Sequence, residues 1–92
     1  MIVGFKHKGL KLFYERGDGS RLPAQQLSKI RLILTRLDAA SAPEQMNVPG
    51  YRFHALTGNM KGLYSVKVTG NYRITFGFDG NDATDVDYID YH

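Results

Sequence analysis

The side chains best suited to proton transfer and anion binding in this chain are His54, Arg73 and the closing run Asp90-Tyr91-His92. Histidine titrates near neutrality and can act as general base or general acid. Aspartate can take a proton or orient an imidazole. Arginine keeps its charge and offers a phosphate a planar fork of donors. Tyrosine can stack on a base or donate a hydrogen bond. The set suits cleavage of an RNA phosphodiester without a metal, because RNA carries its own nucleophile, the 2′-OH. The protein must take that proton, offset the extra charge on the phosphate and protonate the departing 5′-oxygen. Each residue alone has a plainer reading: His54 as an ordinary strand residue, Arg73 as a surface cation, the terminal run as a fraying tail. A zinc site built from His7, His54, His92 and Asp90 lacks any HxH or HExxH spacing. Gly58, Gly62 and Gly70 form no phosphate loop and read as turn residues.

These residues need rigid elements to position them. Met1 to Phe5 alternates as a short first strand. His7 to Glu15 has Leu10, Phe13 and Tyr14 at helical spacing, and Gly17-Asp18-Gly19-Ser20 breaks it. Pro23 to Ala40 carries Leu27, Ile30, Ile33, Leu34 and Leu37 on one helical stripe, with Leu32 projecting away. Tyr51 to Ala55, Tyr64 to Thr69, Tyr72 to Phe78 and Thr84 to Tyr91 read as strands. Gly70-Asn71 makes a tight hairpin link, and Asp79-Gly80-Asn81 makes a second turn. The order β-α-α-β-β-β-β predicts an α+β domain, with two helices on one face of a mostly antiparallel sheet. Tyr51, Phe53, Val66, Val68, Tyr72, Ile74, Phe76 and Phe78 are expected to meet the helix stripe. Strand parity then turns Arg52, His54, Arg73, Thr75 and Lys67 to the uncovered face. Asp90 and His92 share a face with Val86 and Tyr88, and Tyr91 takes the other. That puts the terminal run in conflict with a single site on the open face, unless a bulge re-aims it.

A chain of 92 residues is a single domain, 1–92, with one modest core. There is no cysteine, which excludes disulfides, thiolate nucleophiles and cysteine-held metals and fits a reducing cytoplasm. No apolar run is long enough for a membrane span, and Met1 to Phe5 is too short for a signal-peptide core. The net charge of +3 hides a split. All 12 Lys and Arg lie in residues 1–78, against Glu15, Asp18, Asp38 and Glu44. Residues 79–92 carry Asp79, Asp82, Asp85, Asp87 and Asp90 and no Lys or Arg. A basic body of this size suits a polyanion such as RNA. Lys6, Lys8, Lys11, Arg16, Arg21 and Lys29 are the candidates for RNA contact, each dispensable singly.

Four segments carry a resemblance over essentially the whole chain: Phe5-Lys6-His7-Lys8-Gly9-Leu10-Lys11, Leu56-Thr57-Gly58-Asn59, Tyr72-Arg73-Ile74-Thr75-Phe76 and Asp90-Tyr91-His92. The chain resembles the HigB-type toxins of the RelE/ParE superfamily, in the plasmid-maintenance killer branch. The resemblance implies a RelE-like fold and a cytoplasmic, ribosome-dependent mRNA endonuclease that needs no cofactor and no membrane. Such toxins enter the ribosomal A site, beside the 16S rRNA, and cut the mRNA there. A cognate HigA-like helix-turn-helix antitoxin neutralises them. The family's catalytic set maps onto His54, Arg73, Asp90, Tyr91 and His92. Some relatives have a basic residue where this chain has Thr57, so the resemblance implies either a weaker phosphate contact or its replacement by Lys61 or Lys67. The rival reading is a non-catalytic toxin of the same fold that inhibits a protein such as DNA gyrase.

Overall fold

A computed structural model of the chain describes residues 1–91. Helix α1 spans Lys8–Arg16. His7 caps it, its Nδ1 accepting from the Leu10 amide at 3.2 Å. Gly17 ends it in the left-handed conformation (φ 70), its amide returned to Phe13 O at 2.9 Å. The segment expected as one long second helix divides into a 3-10 turn at Ala24–Gln26 and helix α2 at Leu27–Ala39. Pro23 stands just outside as the cap of the turn. The stripe residues Ile30, Ile33, Leu34 and Leu37 are buried, Leu27 is half-buried, and Leu32 is exposed.

Strands β1 (His54–Ala55), β2 (Tyr64–Thr69), β3 (Tyr72–Asp79) and β4 (Asp82–Asp90) form one antiparallel sheet in sequence order. The helices cover one face. There Leu10, Phe13, Ile30, Ile33 and Leu37 meet Val66, Val68, Ile74, Phe76 and Val86 in one core. Each fully buried large side chain contributes roughly 1.5–3 kcal/mol relative to exposure. Tyr51 joins this core as expected, while Phe53, Tyr72 and Phe78 pack half-buried against it.

Two expected strands come out differently. Residues 1–5 do not form a regular strand. They run parallel to β4 through isolated bridges at Ile2–Ala83 and Phe5–Val86. Val3 N–H donates to Ala83 O and Lys6 N–H to Val86 O, both at 2.8 Å. The ladder breaks between these bridges because β4 bulges there: Asp85 has φ 53, and the β3–β4 register shifts between Thr75 and Gly77. The strand expected over 51–55 is confined to His54–Ala55, since Arg52 takes φ 49 and turns the chain.

Candidate functional site

The uncovered sheet face presents two rows of side chains. Cα pairing aligns His54 with Ser65, Ser65 with Thr75, and Thr75 with Asp87. One step toward the hairpin, Lys67 pairs with Arg73 and Arg73 with Ile89. Residues paired directly across an antiparallel ladder point to the same side. His54, Lys67, Arg73 and Thr75 therefore share the open face, as parity predicts.

The middle of this face is shielded from solvent. Ser65 and Thr75 are buried although no helix covers them. The loop at 56–63 folds over one end, tied by the Leu56 amide to Leu63 O at 2.9 Å. At Gly77 a Cβ would meet Leu63 Cδ2 and Thr84 Oγ1, each at 3.2 Å, so a side chain there would push Leu63 outward by a few tenths of an ångström. Lys61, exposed, closes the 3-10 turn Gly58–Met60 on this loop.

Arg73 and Tyr91 form the direct contact of the site. The Arg73 guanidinium lies 5.7 Å from the Tyr91 ring centroid. The Arg73 Nη1 atom is buried and has no hydrogen-bond partner among the described residues. Tyr91 is held by its amide, which donates to Asn71 O at 2.8 Å. The ring itself is exposed. A fixed cation beside an exposed aromatic ring can bind a phosphate and stack a base together.

The structure divides the rest of the predicted catalytic set. The β4 bulge precedes Val86, so it does not re-aim the end of the strand. Tyr88 pairs with Ile74 and Asp90 with Tyr72, which keeps Asp90 on the side of Tyr88, away from Arg73. The Asp90 charge acts on Tyr88 there. Asp90 is nevertheless exposed, being the last residue of β4. His54 lies exposed on edge strand β1. On an untwisted lattice its Cα is roughly 12 Å from that of Arg73 and about 20 Å from that of Tyr91. Sheet twist alters these spacings. Arg73 and Tyr91 are thus brought together; His54 shares their face but lies two strands from Arg73 and three from Tyr91. His92 lies outside the described residues.

Behind the strand end is a cluster that sequence reasoning missed. The Tyr88 hydroxyl donates to Gln26 Oε1 at the head of α2. The Tyr88 ring stacks on Tyr72 at 5.4 Å and meets the edge of His7 at 5.5 Å. Burial, with Tyr72 and Asp90 nearby, pushes the Tyr88 phenol up to about 12. Alternation placed Tyr88 on the helix side, but nothing local marked Gln26 as its partner, 62 residues away in sequence.

Of the RNA-contact candidates, Lys8, Lys11, Arg16 and Arg21 line a shallow groove of about 300 Å³ along α1. Lys6 is exposed just ahead of that helix. Lys29 instead lies over the Tyr51 ring at 4.6 Å and is half-buried there. Among the described residues no group of three or more His, Asp or Glu side chains is placed to hold a metal ion. No described helix is long and apolar enough to cross a membrane.

The fold has known counterparts. The YoeB–YefM toxin–antitoxin heterotetramer of Staphylococcus aureus contains a chain that superposes with a TM-score of 0.63 at 18% identity, covering 100% of this chain and 98% of that one. At that identity the likeness concerns the fold alone. Toxin HigB-1 of Vibrio cholerae serotype O1 is 37% identical over 94 residues, covering 100% of this chain and 98% of the relative. Endoribonuclease HigB of Proteus vulgaris is 44% identical over 92 residues, with both chains fully covered. A family model described as the RelE-like toxin of the type II toxin–antitoxin system HigB matches residues 3–92. The chain therefore belongs to the HigB-like toxin family of type II toxin–antitoxin systems.

Proposed function

We propose that this toxin is an endoribonuclease that cuts mRNA in the ribosomal A site, using the 2′-OH of the RNA as nucleophile. The supporting observation is the Arg73–Tyr91 contact on the same open face as His54 and Lys67. In this reading Arg73 offsets the charge that builds on the phosphate, with Lys67 beside it. Tyr91 stacks on a neighbouring base. His54 transfers a proton from the β1 side of the same face. Asp90, exposed as the last residue of β4, and His92 are the further candidates for the proton transfers. The 2′-oxygen bonds to phosphorus as its proton leaves to a base. The bond to the 5′-oxygen then breaks as that oxygen takes a proton, leaving a 2′,3′-cyclic phosphate and a free 5′-OH.

The shape of the site supports a macromolecular substrate. The site is an open sheet face rather than an enclosed pocket. The basic residues of α1 and Arg21 offer a second surface suited to an RNA backbone such as the 16S rRNA. The partner in the cell is a cognate antitoxin, in this reading a helix-turn-helix protein encoded beside the toxin, and the site of action is the cytoplasm. Mapping of 5′ ends on an mRNA, with and without ribosomes, tests the proposal. Cuts are expected only when ribosomes are present, and none with Arg73→Ala. Equal cutting of naked RNA would remove the ribosome from the mechanism. Growth arrest without any cutting would favour a protein target instead.

A further inference from the structure

The end of β4 carries Tyr91, yet little backbone holds it. The N-terminal segment bonds to β4 at Ala83 and Val86 and goes no further along the strand. Beyond Val86 the strand has β3 as its ladder partner on one side only. Among the described residues the last backbone bond runs from the Tyr91 amide to Asn71 O, in the hairpin loop. Strand ends with so little pairing fray readily. Opposing that tendency is the side-chain cluster behind the sheet. Gln26 is buried at the head of α2, and its Oε1 receives the Tyr88 hydroxyl. The Tyr72 and Tyr88 rings lie within 7° of parallel, joining adjacent strands. His7, whose Nδ1 caps α1, touches the Tyr88 ring edge-on. Tyr72 immediately precedes Arg73, and Tyr88 lies three residues before Tyr91. The cluster therefore grips both strands of the site from behind.

We infer that Tyr88 is a positioning residue of the nuclease site: through Gln26 and Tyr72 it fixes the end of β4 and so holds Tyr91 against Arg73. Tyr88 points away from the open face and touches no substrate. This inference rests on the proposed function, since it assigns Tyr91 and Arg73 to RNA. Misplacing a reactive group by about 1 Å can cost up to a hundredfold in rate, so loss of the anchor is expected to be visible without loss of the fold.

Tyr88→Phe keeps the stack and removes the hydroxyl. Single-turnover cleavage of ribosome-bound mRNA should slow by about tenfold, with affinity for the ribosome unchanged. The Tyr91 amide should exchange with deuterium correspondingly faster. Gln26→Ala should reproduce both effects, and the double variant should add nothing further. Tyr14→Phe serves as the control. It removes a tyrosine hydroxyl bond of 2.6 Å, to Asp38, between α1 and α2, and should leave the cleavage rate of the folded protein unchanged. The inference is overturned if Tyr88→Phe cleaves at the wild-type rate, or if its loss only follows the unfolded fraction as it does for Tyr14→Phe. Wild-type cleavage by Arg73→Ala would instead refute the functional reading.

Discussion

Replacing Arg73 by lysine separates what the guanidinium does for function from what it does for the fold. The substitution keeps the positive charge but removes the planar fork and the face that lies over Tyr91. In the folded chain Arg73 Nη1 has no hydrogen-bond partner among the described residues, so the fold forfeits little when it goes. Loss of the ring contact, at an exposed tyrosine, costs only about 0.5–1 kcal/mol. The melting temperature is therefore expected to fall by about 2–8 °C. The reaction loses more. A hydrogen bond to a charged phosphate is worth about 1.5–3 kcal/mol, and every 1.4 kcal/mol is tenfold in rate, so kcat should fall roughly ten- to two-hundredfold. The assay is single-turnover cleavage of mRNA on programmed ribosomes, with thermal unfolding followed on the same preparations. Full cleavage by Arg73→Lys would show that charge alone suffices and that the fork plays no part. A large drop in stability with unchanged cleavage would show that Arg73 is structural.

Asp38→Ala should destabilise the chain by about 1–2 kcal/mol, because one oxygen of Asp38 accepts both the Ile2 amide at 3.0 Å and the Tyr14 hydroxyl at 2.6 Å. Denaturant titration measures this, and cleavage per folded molecule should not change. The same bonds hold the Asp38 carboxyl below its ordinary range, with the Tyr14 hydroxyl the largest cause. The stability it lends is present above the unfolded carboxylate range and is lost as pH falls through the lowered folded value, so thermal unfolding in acid should show a loss that Asp38→Ala lacks. At the other end, Asp38 raises Tyr14 to about 12, and burial raises Tyr88 to about 12. Both groups stabilise the fold below the ordinary tyrosine value near 10, and that stability should disappear between about pH 10 and 12, followed by tyrosinate absorbance alongside unfolding. His7→Ala should cost roughly 0.5–2 kcal/mol through loss of the α1 cap, a loss read in denaturant and restored in part by His7→Asn.

Much of the site was legible along the chain because alternation is a local property. Residues two apart in a strand share a face whatever packs against it, so His54, Arg73, Thr75 and Lys67 could be assigned together before any coordinates. The same rule kept Asp90 with Tyr88, and the structure agrees: the β4 bulge comes before Val86 and leaves the following parity intact. The break at Arg52 escaped the pattern. A left-handed φ at a non-glycine residue leaves no mark in alternating hydrophobicity, and Tyr51-Arg52-Phe53-His54-Ala55 reads as a full strand.

By itself the amino-acid order determined the two helical stripes, the Gly70-Asn71 hairpin, the family and the faces of the strands. Each of these depends on neighbours within a few residues, or on a motif read directly. Folding in three dimensions decided which distant segments meet. It set the N-terminal segment parallel to β4, laid Leu63 over Gly77, and joined Tyr88 to Gln26. Such pairings arise from packing between elements far apart in the chain, where many partners of similar chemistry compete and only the whole core selects one.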